Sequence, residues 1–187
     1  MNAQSYLIVK PDGLDFTSEI LSKLTKEVRV TRTIQINDFC QLAPELYLDE
    51  EACKRGNHPI IWGINTIWKM KFKQTSALLI LVESLDSSLN ENEFISKVCS
   101  FKKNFRKQKF PKGYIEYFIS PESIYEEFNG NIPENNLLEK RLDKNGFYRL
   151  QLNCLHCPDS EEAYQREMSI IKNYLFTKKI VKALATV

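Results

Sequence analysis

The order of hydrophobic patterns along this 187-residue chain predicts an α+β sandwich, with helices covering a mainly antiparallel sheet. Three observations carry the expectation. Short β-branched or continuously apolar runs at 6–9, 28–36 and 77–82 alternate with stretches of helical spacing. The run at 147–152 alternates with period two just before a last amphipathic stretch. No internal repeat, low-complexity tract or Gly/Ser linker divides the sequence, so one domain over 1–187 is the expectation.

Taken in order, 6–9 reads as a strand stopped by Lys10-Pro11-Asp12-Gly13, a turn by composition. Thr17 or Ser18 is placed to cap a helix whose apolar face is Ile20, Leu21 and Leu24. Val28, Val30, Thr31, Thr33, Ile34 and Ile36 form a β-branched strand, and 38–49 returns as helix or irregular chain. Ile60, Ile61, Ile64, Ile67 and Trp68 recur at helical spacing. The unbroken apolar run 77–82 suits a strand covered on both faces. A helix over 91–104 turns Phe94, Ile95, Val98 and Phe101 inward. The region 114–136 is mixed and turn-rich, 147–152 is a strand, and Asp159-Ser-Glu-Glu opens a helix with Ala163, Met168 and Ile171 on its buried side.

A composition of 43% hydrophobic and 27% charged residues excludes coiled coil, collagen and wholesale disorder. No apolar run reaches the roughly 20 residues of a membrane span, and the N-terminal residues lack a secretory pattern, so a cytoplasmic protein without membrane contact is expected. Lys+Arg at 26 against Asp+Glu at 24 gives a net charge too small to imply nucleic acid. The densest local patch, Lys102, Lys103, Arg106, Lys107, Lys109 and Lys112 interleaved with Phe101, Phe105 and Phe110, leaves nucleic-acid binding through 102–112 as a weaker reading beside a solvated face. Five cysteines, an odd number, argue for free thiols. Cys154 and Cys157 flank His156 as C-x-x-C, but a second such pair is missing, and His58 is the only other histidine.

Two motifs and the segment between them carry a resemblance. Tyr6-Leu-Ile-Val-Lys-Pro-Asp-Gly13 at the end of the first strand, and Asn153-Cys-Leu-His-Cys-Pro-Asp-Ser160 leading to Glu167, resemble the opening and active-site signatures of nucleoside diphosphate kinases. Between them, Tyr47 and Pro59-Ile-Ile-Trp-Gly63 resemble the family's nucleotide-gripping helical hairpin. The matches run in family order from about residue 6 to 176, apart from a longer, unmatched insertion around 85–143. The resemblance implies a ferredoxin-like βαββαβ core and a kinase that moves the γ-phosphate of a nucleoside triphosphate to a diphosphate through phospho-His156. It implies Glu167 as the partner of the imidazole and Lys10 beside the terminal phosphates. Tyr47, His58, Ile60, Ile64, Arg141 and Asn153 fall at nucleotide-binding positions. Magnesium would arrive with the nucleotide, held by phosphate oxygens and water, with Asp159 its nearest protein partner through water. A homo-oligomer is also implied.

The residues support this chemistry on their own terms, since a histidine at a strand end with a carboxylate acceptor two helical turns away is the arrangement of an oriented nucleophile. Departures from the family pattern accompany the matches. Ile60 stands where the family stacks a phenylalanine on the base, His58 where it has an arginine, and Cys157-Pro158 where it has glycine and serine. The arginine-and-threonine segment after the third strand is missing, and Lys97, Lys102, Lys103 or Arg106 are the cations available to replace it. These departures sustain an alternative, a catalytically weak nucleotide-binding or regulatory module, and open the acceptor to phosphorylated molecules other than the usual diphosphate.

Overall fold

The structure, a computed structural model, describes residues 2–47, 58–127 and 142–178. Strand β1 (Gln4–Val9) runs into a 3-10 turn at Pro11–Phe16 and helix α1 (Thr17–Leu24), followed by β2 (Arg29–Ile36) and α2 (Phe39–Tyr47). Helix α3 (His58–Ile67) continues into a π-helical turn at Trp68–Phe72, then β3 (Ala77–Glu83) and the long α4 (Glu91–Lys109). Strand β4 (Ile115–Ile119), α5 (Pro121–Glu127), β5 (Tyr148–Leu152), β6 (Leu155–His156) and α6 (Glu161–Thr177) complete the order.

The main sheet has the order β2-β3-β1-β6 with every neighbour antiparallel, which is the ferredoxin-like arrangement. Side chains alternate across a strand, so β1 sends Leu7 and Val9 to one face and Tyr6 and Ile8 to the other. The first face packs under α1 and α4 through Ile20, Leu24, Phe94, Val98 and Phe105. The second packs under α2, Trp68 and α6 through Phe39, Leu42, Leu46, Ile171 and Leu175. Strand β3 lies between β1 and β2 and is covered on both faces, which explains why its sequence is continuously apolar. Burying each such side chain contributes about 1.5–3 kcal/mol.

The strand expected at 147–152 forms, but it is not the fourth strand of this sheet. It pairs with β4 from Ile115↔Leu152 to Ile119↔Tyr148 in a separate two-stranded ribbon. The fourth place is taken by the two residues of β6, because Cys154 adopts a left-handed backbone (φ 55°) and breaks the chain's extension between β5 and β6. Period-two alternation identifies a strand but not its partner. Strand β4 itself lay hidden in the mixed 114–136 region, since its faces are largely exposed or half-buried.

Two helix ends also differ from expectation. No side chain caps α1; Thr17 instead donates its hydroxyl to Leu14 O at 2.6 Å, extending the preceding turn. Helix α4 runs five residues past 104, because Phe105 prolongs the inward stripe and Arg106, Lys107 and Lys109 complement the negative end of the helix dipole. Its start is set by a capping box: Asn90 accepts from Glu93 N at 2.9 Å, and Glu93 accepts from Asn90 N at 3.0 Å. On α6 the fully covered side chains are Glu167, Ile171, Tyr174 and Leu175, while Ala163 and Met168 are half-buried.

The basic segment is not a base-stacking surface. Phe101, Phe105 and Phe110 are buried, Lys109 pairs with Glu19, and Lys102 is 9% exposed with its ammonium donating to Cys157 O at 3.3 Å. The apolar rings were needed for the core, so the aromatic half of the nucleic-acid reading is absent from 102–112. Among the described residues, no helix is long and apolar enough to cross a membrane.

Candidate active site

Four backbone elements converge on His156. The register Ile8↔His156 puts the histidine beside β1, on the face that also carries Tyr6. The turn after β1 is locked to the chain before the histidine: Lys10 N donates to Cys154 O at 2.8 Å, and Asp12 accepts from Cys154 N at 2.7 Å and from Trp68 Nε1 at 2.9 Å. Gly13 is required by close approach, since a Cβ there would lie 2.6 Å from Cys154 O and 2.8 Å from its Cβ. The K-P-D-G turn is thus a brace that sets the position of the histidine strand.

Glu167 reaches His156 from α6, which is started by Ser160 accepting from Ala163 N at 3.1 Å. Its Oε2 lies 2.9 Å from His156 Nε2 and also accepts the Tyr6 hydroxyl, and its Oε1 accepts from Arg166 at 3.1 Å. Burial pushes the Glu167 carboxyl upward, but His156, Tyr6 and Arg166 outweigh it and hold the group below the usual carboxylate range. Burial lowers the imidazole of His156 against the opposing pull of Glu167, so the ring is neutral at pH 7. A neutral ring that donates Nε2–H to a carboxylate has its lone pair on Nδ1. No bond among the described residues takes up Nδ1.

Beside the histidine is a cavity of about 140 Å³. Its polar wall is Lys10, Arg106, Asn153 and His156, with Tyr47 standing edge-on to the imidazole at 4.9 Å between ring centroids. Asn153 Oδ1 accepts from Lys10 Nζ at 2.6 Å and from Arg106 at 2.9 Å, which turns the amide nitrogen away from both cations. Arg106 also donates to the carbonyls of Asn153, at 3.0 Å, and Leu155. Lys10 is 5% exposed, and burial lowers its ammonium despite the nearby Asp12. The remaining wall comes from Ile61, Ile64, Asn65 and Trp68 on one side and Gln151 on the other.

The structure therefore brings together Lys10, Tyr47, Ile64, Asn153, His156 and Glu167 from the sequence expectation. Ile60 is displaced from it: helical phase aims Ile61, Ile64, Asn65 and Trp68 at the cavity, and Ile60 packs against the Trp62, Ile119 and Tyr148 cluster instead. Asp159 is exposed and does not line the cavity. Arg141 and the side chain of His58 lie outside the described residues. Sequence reasoning did not single out Asn65, Gln151, Arg166 or the hydroxyl of Tyr6, and it read Trp68 as a core or interface aromatic. Arg106 stood among four candidate cations, and no sequence signal distinguishes it; the packing of α4 brings it to the cavity. The thiols beside the histidine are quiet: burial and Asp12 push Cys154 up to about 12, and Cys99 and burial push Cys157 upward.

No protein-family model matches the chain, and no curated protein matches it. Among solved structures, similarity is found to a nucleoside-diphosphate kinase from Borrelia burgdorferi, a transition state mimic with bound vanadate and ADP. That chain is 18% identical, with a TM-score of 0.49 over 89% of this chain and 84% of the other. An NDP kinase from Pyrobaculum aerophilum is 14% identical, with a TM-score of 0.45 over 91% of this chain and 95% of the other. The fold assignment above rests on strand order and register, and the chemical reading on the site's own geometry.

Chemically, the arrangement is a neutral imidazole with one nitrogen anchored and the other unengaged among the described residues, next to a lysine, an arginine and an amide. Cations and N–H donors beside a nucleophile are what a transferring phosphoryl group requires, because its charge spreads over the non-bridging oxygens.

Proposed function

We propose that the protein is a phosphotransferase of the nucleoside diphosphate kinase type, with His156 as the nucleophile. The observation that carries this reading is the His156–Glu167 pair at 2.9 Å at the edge of a cavity walled by Lys10 and Arg106. Nδ1 of His156 forms a bond to the γ-phosphorus of a nucleoside triphosphate while the bond from that phosphorus to the β–γ bridging oxygen breaks, and the diphosphate leaves with the electron pair. Glu167 takes up the positive charge that develops on the ring through the Nε2–H bond. Lys10 and Arg106 neutralise the phosphate oxygens, and the Asn153 amide N–H₂, directed away from the two cations, is available to a phosphate or sugar oxygen. The reverse transfer to a diphosphate acceptor restores the histidine, which gives ping-pong kinetics.

The donor set near the cavity suits phosphate rather than a resident metal. Asp12 is committed to Trp68 and Cys154 and Glu167 to His156 and Tyr6, and among the described residues no three His, Cys, Asp or Glu side chains are grouped to hold an ion. Magnesium belongs here as the nucleotide's own counter-ion, where it neutralises phosphate charge, held by phosphate oxygens and water. A homo-oligomer is part of the same reading.

The test is incubation of purified protein with magnesium and γ-labelled nucleoside triphosphates, one base at a time, with His156→Ala as control. Acid-labile label on His156 that a nucleoside diphosphate discharges is the expected result; absence of label with every triphosphate overturns the reading. The second reading, a weak nucleotide-binding module, draws on the engagement of Arg106 by three acceptors. It predicts saturable nucleotide binding by calorimetry without label.

A further inference from the structure

We infer that the Tyr6 hydroxyl is a positioning group for the transfer, holding the Glu167 carboxylate so that His156 keeps its proton on Nε2 and its lone pair on Nδ1. The inference rests on the phosphotransferase reading of His156 and adds a residue to it.

Ile8 faces His156 across the β1–β6 pair, and Tyr6, two residues earlier, projects to the same side of the sheet. Its ring is fully buried and lies 6.2 Å from the rings of both His156 and Tyr164, so the hydroxyl is delivered to one place. That place is Glu167 Oε2, the oxygen that also meets His156 Nε2. Tyr6 Oη lies only 3.4 Å from Nε2, so two proton arrangements compete. In one, the phenol and Nε2–H both donate to Oε2, and Nδ1 carries the lone pair. In the other, the phenol donates to Nε2, and Nδ1 carries the proton and cannot attack phosphorus.

Three features select the first. The phenol is nearer to Glu167 than to the imidazole. A bare Nε2 facing an ionised carboxylate oxygen at 2.9 Å would set two lone pairs against each other. Arg166, itself tied to Leu46 O at 3.1 Å, holds Oε1, so the carboxylate cannot rotate to relieve that repulsion without breaking an ion pair. Burial and the negative charge of Glu167 keep the phenol protonated and so a donor throughout the working pH range.

The experiment compares wild type with Tyr6→Phe, which keeps the ring and removes only the hydroxyl. Imidazole ¹⁵N shifts of labelled histidine report the tautomer directly. Wild type should show protonated Nε2 and bare Nδ1 at His156, and Tyr6→Phe a mixture of tautomers. His156 labelling should slow about tenfold in the variant, with the nucleotide KM within twofold of wild type, because a misplaced group costs rate more than affinity. The acid limb of the pH profile should move upward, because a carboxylate relieved of one donor binds the imidazolium more strongly. Unchanged tautomer shifts and an unchanged acid limb in Tyr6→Phe would overturn the inference, whatever the rate. A wild-type protein that takes no label refutes the kinase reading, while the tautomer comparison still decides the role of Tyr6. Should Tyr6→Phe not fold, the wild-type phenolic proton decides: a slowly exchanging downfield resonance that Glu167→Gln moves upfield supports the assignment, and a rapidly exchanging one insensitive to Glu167→Gln refutes it.

Discussion

Replacing Arg106 with methionine removes the clamp between α4 and the histidine strand. The guanidinium donates to the carbonyls of Asn153 and Leu155 and to Asn153 Oδ1. Lys10 still holds Oδ1 in the variant, so the loss falls on the two carbonyls. Hydrogen bonds to a charged donor contribute about 1.5–3 kcal/mol each, and the low end applies because the cavity beside Arg106 admits water, which gives about 3 kcal/mol for the pair. For a chain of this length, about 2–4 °C of melting temperature accompanies each kcal/mol, so Tm should fall by about 6–12 °C. Arg106→Lys, which keeps the charge but not the fork, should lose about half as much. Circular dichroism melting and urea titration of the three proteins measure this directly. A Tm for Arg106→Met within 2 °C of wild type, against the ~6 °C minimum expected from two charge-assisted bonds, would refute the claim that Arg106 holds the strand.

The remaining predictions concern His156 and its brace. Burial lowers the His156 pKa from its usual 6.5, so the folded protein takes up this proton later than the unfolded chain as pH falls. The associated stability is complete above pH 6.5 and is lost progressively as pH drops toward the depressed folded value; urea unfolding at pH 7.5, 6.5 and 5.5 should show that slope in wild type and a smaller one in His156→Gln. Histidine labelling should be half-maximal below pH 6.5, and a midpoint above it would contradict a desolvated imidazole. Glu167→Gln leaves an amide whose nitrogen or oxygen must face Nε2, and should cut the labelling rate by about 10²-fold, read by quench-flow, as expected when the group orienting a nucleophile is lost. Gly13→Ala drives a Cβ into Cys154 and should destabilise the protein by about 1–3 kcal/mol by urea unfolding, with an unchanged midpoint counting against the brace.

Much of the fold was legible because its signals are local. The apolar run of β3, the β-branched β2 and the stripe Phe94, Val98, Phe101 of α4 each declare an element, since burying one face imposes a period of two or 3.6. The motif around His156 was legible because it is short: His156, the Ser160 cap and Glu167 lie within twelve residues, and the resemblance paired the first with the last, while the turn between β6 and α6 makes the contact. Long-range pairings were not legible. The partner of β5 is β4, some thirty residues away, and a strand's period carries no record of which edge it meets. Helix phase decided Ile61 over Ile60 at the cavity, because one residue is about 100° of rotation. The basic run left nucleic-acid binding open as a weaker reading because composition does not reveal that Phe101, Phe105 and Phe110 face inward.

The chain by itself determined the α+β class, and the motifs that resemble nucleoside diphosphate kinases pointed to His156 and Glu167 as a pair. The class follows from hydrophobic period within single elements, and the pair from a short motif contiguous in sequence. Only the tertiary structure decided that Arg106 rather than Lys97 or Lys103 enters the cavity, that Asp12 and Gly13 brace the histidine strand, and that the hydroxyl of Tyr6 meets Glu167. The physical reason is the range of the interaction. Side chains 47 to 161 positions apart meet through sheet register and helix packing, and those are settled by the whole core at once.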